Sequence, residues 1–168
     1  MCILRIIDQG LIKVQKFVIT LLLVGVLLLT VIQVVFRYVL LLPSPWSEEL
    51  ARLGLVWVIF LAASLGVRLK AHPYLELLVT RIPFKTKHAV YILVYLIIVV
   101  MGIVMVVYGA MYIGRTAGDY TTSLRYPRNL FYYPVPISGI LITIYSIREM
   151  LQGIKAVLTG KEVEEKDL

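Results

Sequence analysis

Four long stretches without a charged residue constrain this sequence more than any other feature. They cover residues 17–36, 53–67, 89–114 and 130–147. A helix rises about 1.5 Å per residue, so about 20 apolar residues cross a hydrocarbon core about 30 Å thick. The second stretch is short, but it becomes long enough if its helix begins near Pro45 and Arg52 extends its guanidinium toward the interface. We therefore predict an all-α integral membrane protein with four transmembrane helices, listed by their approximate spans: 17–36, 46–67, 87–114 and 130–150.

Composition agrees with this prediction and argues against other classes. The chain is 60% hydrophobic and only 16% charged, which is far too apolar for an ordinary soluble domain. Its net charge of +7 comes from basic residues between the apolar stretches, so we expect lipid contact and no nucleic-acid binding. The single cysteine, Cys2, excludes an internal disulfide and a thiolate cluster, and no metal or cofactor site is predicted.

The distribution of lysine and arginine predicts the orientation. The N-terminal segment, the link at 68–88 and the C-terminal end carry twelve of the 17 basic residues, and the other side carries five. Basic residues favour the cytoplasmic side, so both termini are expected in the cytoplasm. Residues 1–168 are expected to form a single membrane domain, because no repeat or linker divides them.

A short amphipathic pattern interrupts the link between the second and third spans. Residues 72–82 lie between two prolines, with His72, Glu76 and Thr80 spaced by four on one face. Apolar residues occupy the other side. This pattern predicts a short helix at the cytoplasmic interface.

The most informative motif lies at the start of the second span, after Arg37 and Tyr38. Ser44 and Pro45 are typical of a helix start, and Glu48 and Glu49 follow near the positive end of the helix dipole. Arg52 is three and four residues from these carboxylates, so an ion pair is geometrically available. Trp46, Glu48, Glu49, Arg52 and Trp57 are either interface anchors or a fixed polar contact within the subunit or toward a partner.

Two weaker patterns concern packing and the interface. Small residues recur at a spacing of four, and ordinary packing within the chain's own bundle is their simplest role; they are Ala62, Gly66, Ala110, Gly114 and Gly118. Aromatic residues crowd the link before the fourth span, and they indicate an aromatic belt or an outer docking surface shared with Arg125 and Arg128.

The residues absent from the spans also limit the function. The charge-free stretches contain no histidine or ionisable carboxylate, whereas ion-coupled transport usually requires an ionisable group within the membrane. Mid-membrane pairs of glycine and proline breaks, which mark unwound binding helices, are missing as well. We find no catalytic constellation, so the chain is not expected to be an enzyme.

The motif residues resemble those of a known family. Arg37-Tyr38, the stretch from Trp46 to Arg52, Trp57 and the Ala62–Gly66 run resemble the small permease (DctQ-like) subunit of tripartite ATP-independent periplasmic (TRAP) transporters. Pro73 follows His72 where a branched apolar residue is usual, so no role is transferred to His72. The resemblance implies a bacterial or archaeal cytoplasmic (inner) membrane location.

The resemblance also implies partners and a role. A large multi-helix permease subunit moves the substrate with sodium, a periplasmic binding protein captures an organic acid, and the small subunit is a non-catalytic scaffold that braces the large one. The residues implied for structural or partner contacts are Arg37, Tyr38, Trp46, Glu48, Glu49, Arg52 and Trp57. The alternative is a self-sufficient four-helix transporter acting as a homodimer, but it would require a carboxylate in the first helix, where Gln33 is the most polar residue.

Overall fold

The computed structural model describes residues 2–69 and 84–159 of the chain. Four helices account for most of them: α1 (Cys2–Tyr38), α2 (Pro45–Arg68), α3 (Phe84–Arg115) and α4 (Pro134–Thr159), with a short 3₁₀ helix at Arg128–Phe131. Each of the four is long and apolar enough to cross a membrane, which confirms the predicted all-α class with four such helices. The interfacial helix expected at 72–82 lies outside the described residues.

The helices form a row rather than a bundle around one centre. α1 packs mainly against α2, α2 packs against α4, and α4 packs most extensively against α3. The order in space is therefore α1, α2, α4, α3. The helices also have two ends along their axes. We call the end with the α1–α2 turn and the 116–133 link the link end. We call the opposite end, with Gln15 and Arg68, the terminal end.

The predicted start of α2 is confirmed. Ser44 is the residue before the helix and Pro45 lies in its first turn. The Ser44 hydroxyl does not cap the backbone; its oxygen is 2.8 Å from the Ser47 hydroxyl, which donates to the Ser44 carbonyl at 2.8 Å. Ser47 is fully buried, so a local polar network fixes the entry into α2.

Close helix packing depends on glycines other than those predicted. A Cβ atom on Gly54 would lie 2.6 Å from Val26 Cγ2, where α2 meets α1. By contrast, a Cβ on Gly66 or Gly114 would meet no atom within 4 Å. The prediction that these small residues pack inside the bundle is therefore wrong for Gly66 and Gly114 within the described chain.

The 116–133 link is a folded segment. Asp119 and Arg128 pair through their backbones at 2.8 Å, and Thr121 donates to the Tyr126 carbonyl at 3.0 Å. These bonds form a hairpin-like turn with one isolated bridge between Tyr120 and Pro127. The link therefore presents a defined surface at the link end.

The hydrophobic core is small and lies between α2, α4 and α3. Its buried members are Val67, Tyr95, Ile142 and Tyr145. Most other large apolar side chains are exposed along the helices, and α1 contributes many of them. Lipid or protein within a membrane is the environment that such a surface requires.

Candidate functional site

The predicted motif forms an exposed ion pair at the link end. Arg52 Nη2 lies 2.7 Å from Glu48 Oε1, one turn away on α2. The two side chains are 68% and 56% exposed. Such a pair contributes at most about 1 kcal/mol to stability, because water screens it. Its charges therefore remain accessible to another molecule at the surface of α2.

Glu49 points in a different direction from Glu48. Its Oε2 accepts a hydrogen bond of 3.2 Å from the backbone N–H of Leu124, which ties the start of α2 to the link. The Tyr126 phenol lies in the same region, where burial raises its pKa and the Glu49 carboxylate raises this pKa further. Glu49 thus serves a contact within the chain.

The aromatic members of the motif hold α2 against its neighbours. Trp57 Nε1 donates to the Leu130 carbonyl at 3.2 Å, and this bond joins the middle of α2 to the 3₁₀ helix. The Trp46 ring meets Phe36 of α1 edge to face, with ring centres 6.3 Å apart. Arg37 and Tyr38 are exposed at the end of α1. The predicted set therefore divides into residues that face the chain and residues that face outward.

Sequence reasoning missed a second group of polar residues, which lies at the terminal end. Arg68 Nη1 of α2 lies 3.3 Å from Glu149 Oε1 of α4, and their side chains are 8% and 1% exposed. The Tyr91 hydroxyl of α3 donates to Glu149 Oε2 at 3.0 Å. One buried carboxylate therefore joins three helices.

A second layer lies one helical turn away and adds α1. Gln15 Nε2 donates to the Leu61 carbonyl at 2.9 Å and to Ser64 Oγ at 2.6 Å. The Tyr145 hydroxyl donates to Gln15 Oε1 at 3.1 Å. All three side chains are buried, so the amide of Gln15 is satisfied by α2 on one side and by α4 on the other.

Both layers use the same two helix faces, and we call the whole group the polar joint. Ser64 and Arg68 are four residues apart on α2, and Tyr145 and Glu149 are four apart on α4, so each pair shares a face. The members of the polar joint are Gln15, Ser64, Arg68, Tyr91, Tyr145 and Glu149. The positions of Arg68 and Glu149, just after the second and fourth charge-free stretches, could have drawn attention to them. No local sequence pattern indicates that the two side chains pair.

The surface hollows are open and offer little chemistry. A groove of about 240 Å³ runs between α3 and α4, and its lining is apolar apart from one threonine: Ile103, Val106, Val107, Ile140, Thr143 and Ile144. Thr143 uses its hydroxyl on the Gly139 carbonyl at 2.8 Å. Among the described residues, no group of three or more His, Cys, Asp or Glu side chains could hold a metal ion.

Comparison with known proteins shows a family to which the chain is similar and a curated relative. The family described as "Tripartite ATP-independent periplasmic transporters, DctQ component" matches residues 26–156. The "Sialic acid TRAP transporter small permease protein SiaQ" of Vibrio cholerae serotype O1 is 22% identical over 142 residues, which is 80% of this chain and 82% of that protein. The range that the family matches includes the motif at the start of α2 and every member of the polar joint except Gln15.

Proposed function

Because the chain belongs to the DctQ family of tripartite ATP-independent periplasmic transporter components, we propose that it is a non-catalytic scaffold subunit that braces a large transporting subunit in the cytoplasmic membrane. The observation that carries this proposal is the direction of the buried polar side chains. Gln15, Arg68, Tyr145 and Glu149 bond to other parts of the same chain. They do not line the groove between α3 and α4.

The exposed apolar surface of α4 supports the same role. The exposed face of α4 repeats apolar residues at helical spacing over four turns: Ile137, Ile140, Ile144, Ile147 and Leu151. An ion path through the membrane requires polar or ionisable lining groups. An apolar face of this kind suits lipid or the surface of another membrane subunit instead.

The orientation that we propose places the terminal end in the cytoplasm and the link end in the periplasm. The count of twelve basic residues against five supports it. Both chain termini and the short helix expected at 72–82 would then lie on the cytoplasmic side. Labelling of a single cysteine introduced at the exposed Leu124 tests this orientation, provided that Cys2 is first replaced by serine. Access from the cytoplasm alone would contradict it.

The transport reaction itself belongs, in this proposal, to partners. The large permease subunit would move an organic acid with sodium, after a periplasmic binding protein has captured it. The relative from Vibrio cholerae is named for sialic acid, which is one such organic acid. The chain alone, in vesicles with a sodium gradient, should take up no substrate. Sodium-driven uptake by the chain alone would instead favour a self-sufficient transporter.

The outward members of the α2 motif are the residues that we propose for contact with the large subunit. Arg37, Tyr38, Glu48 and Arg52 are exposed at the link end. The other three members would hold α2 in position, because each contacts α1 or the 116–133 link; they are Trp46, Glu49 and Trp57.

Co-purification tests this assignment. We expect Arg52→Leu to lower the recovery of the large subunit on the tagged small subunit more than Arg128→Leu does. Arg128 is the matched control, because it is an exposed arginine of the same end that lies in the link. Equal recovery with both variants would remove the special role of Arg52.

A further inference from the structure

The polar joint is more elaborate than the stability of four apolar helices requires. It joins α1 and α3, which lie at opposite edges of the row, through the same two turns of α2 and α4. We propose that the polar joint is a positioning element: it fixes the angles of the edge helices α1 and α3, and thereby the shape of the surface offered to the large subunit. The second half of this proposal rests on the proposed function.

The level of the joint relative to the membrane supports this role. Lys16 lies next to Gln15, and the next charged residue on α1 is Arg37. Twenty residues of helix lie between these two charges, and the rise from one to the other is about 32 Å, which matches one hydrocarbon core. The Gln15 layer therefore lies at the edge of the hydrocarbon, and the Arg68–Glu149 layer lies about 6 Å further out, among the lipid headgroups.

At that level both ions could be solvated, yet the protein buries them. Glu149 is 1% exposed and receives Tyr91 in addition to Arg68. A buried ion pair is a poor source of stability, since desolvation offsets most of its attraction. Its directional bonds instead favour one arrangement of the helices over others. The pair thereby contributes to the specificity of that arrangement.

The geometry indicates how the joint sets the angles of α1 and α3. Across the membrane, α1 touches the rest of the protein mainly through α2, and α3 mainly through α4. Gln15 is the member of the joint that lies on α1, and Tyr91 is the member that lies on α3. A small rotation at the joint moves the far ends of α1 and α3, which lie about 35 Å away.

Distance measurement between the two edge helices tests the positioning role. Spin labels at Val31→Cys on α1 and Tyr108→Cys on α3 occupy exposed positions about 25 Å from the joint, in a Cys2→Ser background. We expect a single narrow distance distribution in the otherwise unchanged chain and a broadened one in Glu149→Gln. Glu48→Gln is the matched control, since it removes the same charge from an exposed pair. It should leave the distribution narrow.

A double variant separates positioning from stability. Glu149→Gln removes the buried negative charge that lies 3.3 Å from Arg68, and we expect the thermal midpoint in detergent to fall by about 10 °C. Arg68→Met combined with Glu149→Met removes both charges, so the midpoint should return to within about 3 °C of the unchanged chain. The distance distribution should nevertheless remain broad, because the bonds that Glu149 makes to Arg68 of α2 and Tyr91 of α3 are then missing. A double variant with a narrow distribution would overturn the proposal.

The partner provides the last readout. The double variant should recover at least about fivefold less large subunit than the unchanged chain does, although it is stably folded. Recovery equal to that of the unchanged chain would overturn the link between the joint and assembly. If the unchanged chain recovers no large subunit, the proposed function fails, while the distance measurements still decide whether the joint positions α1 and α3.

Discussion

Gly102 and Gly139 face each other where α3 crosses α4. A Cβ atom on Gly139 would lie 2.9 Å from the Gly102 carbonyl oxygen, and a Cβ on Gly102 would lie 3.1 Å from the Gly139 carbonyl oxygen while colliding with the Thr143 hydroxyl. The two backbones are therefore in direct contact. Two turns further along α3, Gly109 faces Pro136 of α4. A Cβ atom on Gly109 would lie 2.9 Å from Pro136 Cδ. This seam explains why α3 and α4 form the most extensive contact in the row.

Gly102→Ala should destabilise the chain by about 1–3 kcal/mol, because the added methyl group forces α3 and α4 apart. The thermal midpoint of the purified chain in detergent measures this effect. Gly114→Ala is the control on the same helix, since nothing lies within 4 Å of its Cβ position. It should be neutral or slightly stabilising, because alanine favours the helix. Equal losses in both variants would contradict the close approach at Gly102.

Tyr145→Phe should cost about 1–3 kcal/mol, because it leaves the buried Gln15 Oε1 without the hydroxyl that donates to it. Thermal unfolding followed by circular dichroism measures the loss. Tyr108→Phe removes a hydroxyl from an exposed tyrosine of α3 and should have no measurable effect. If the two variants unfold alike, the bond between Tyr145 and Gln15 does not hold α1 in place.

Trp57→Phe should loosen the 116–133 link, because it deletes the indole bond to the Leu130 carbonyl. Trypsin reports this change, since the exposed Arg125 and Arg128 lie in the link. We expect cleavage several times faster than in the unchanged chain. Trp46→Phe keeps an aromatic ring against Phe36 and should leave the cleavage rate unchanged. A faster rate in Trp46→Phe alone would place the restraint on the link elsewhere.

Tyr126 should titrate at higher pH than an ordinary tyrosine. Burial first and the Glu49 carboxylate second raise its pKa, so the folded link favours the neutral phenol. Its contribution to stability is complete below about pH 10 and is lost as the pH rises through the raised pKa. The difference in absorbance at about 295 nm between the unchanged chain and Tyr126→Phe isolates this phenol.

Variants of the two adjacent carboxylates distinguish the causes of this shift. Glu49→Gln should move the midpoint of the Tyr126 titration downward, because it removes the neighbouring negative charge. Glu48→Gln should leave the midpoint where it is, since the Glu48 carboxylate pairs with Arg52. A midpoint that responds to Glu48 and not to Glu49 would reverse the assignment.

The parts of the structure that follow from local chemistry could be predicted from the sequence. Uncharged stretches of sufficient length determine the four helices, and Ser44 with Pro45 marks the start of α2 because these residues suit the first turn. The exposed pair between Glu48 and Arg52 was available from their spacing of four. Each of these features depends on residues within a few turns of one another.

The features that depend on distant partners could not be predicted in this way. Arg68 and Glu149 are 81 residues apart, and neither carries a sign of the other. Small residues at a spacing of four suggested Gly66 and Gly114, whereas the helices meet at Gly54, Gly102 and Gly139. A pattern on one helix shows that a close approach is possible, but the partner helix decides where the approach occurs.

The order of the helices in space also determines the sequence in which their contacts can form during translation. α1 and α2 leave the ribosome as neighbours and can pair at Gly54 as soon as both have entered the membrane. α3 follows them, but its principal neighbour is α4, which is made afterwards. Until Glu149 has been translated, Arg68 and Tyr91 lack the carboxylate that joins them. The joining of α2, α3 and α4 through this carboxylate therefore waits until α4 has been made.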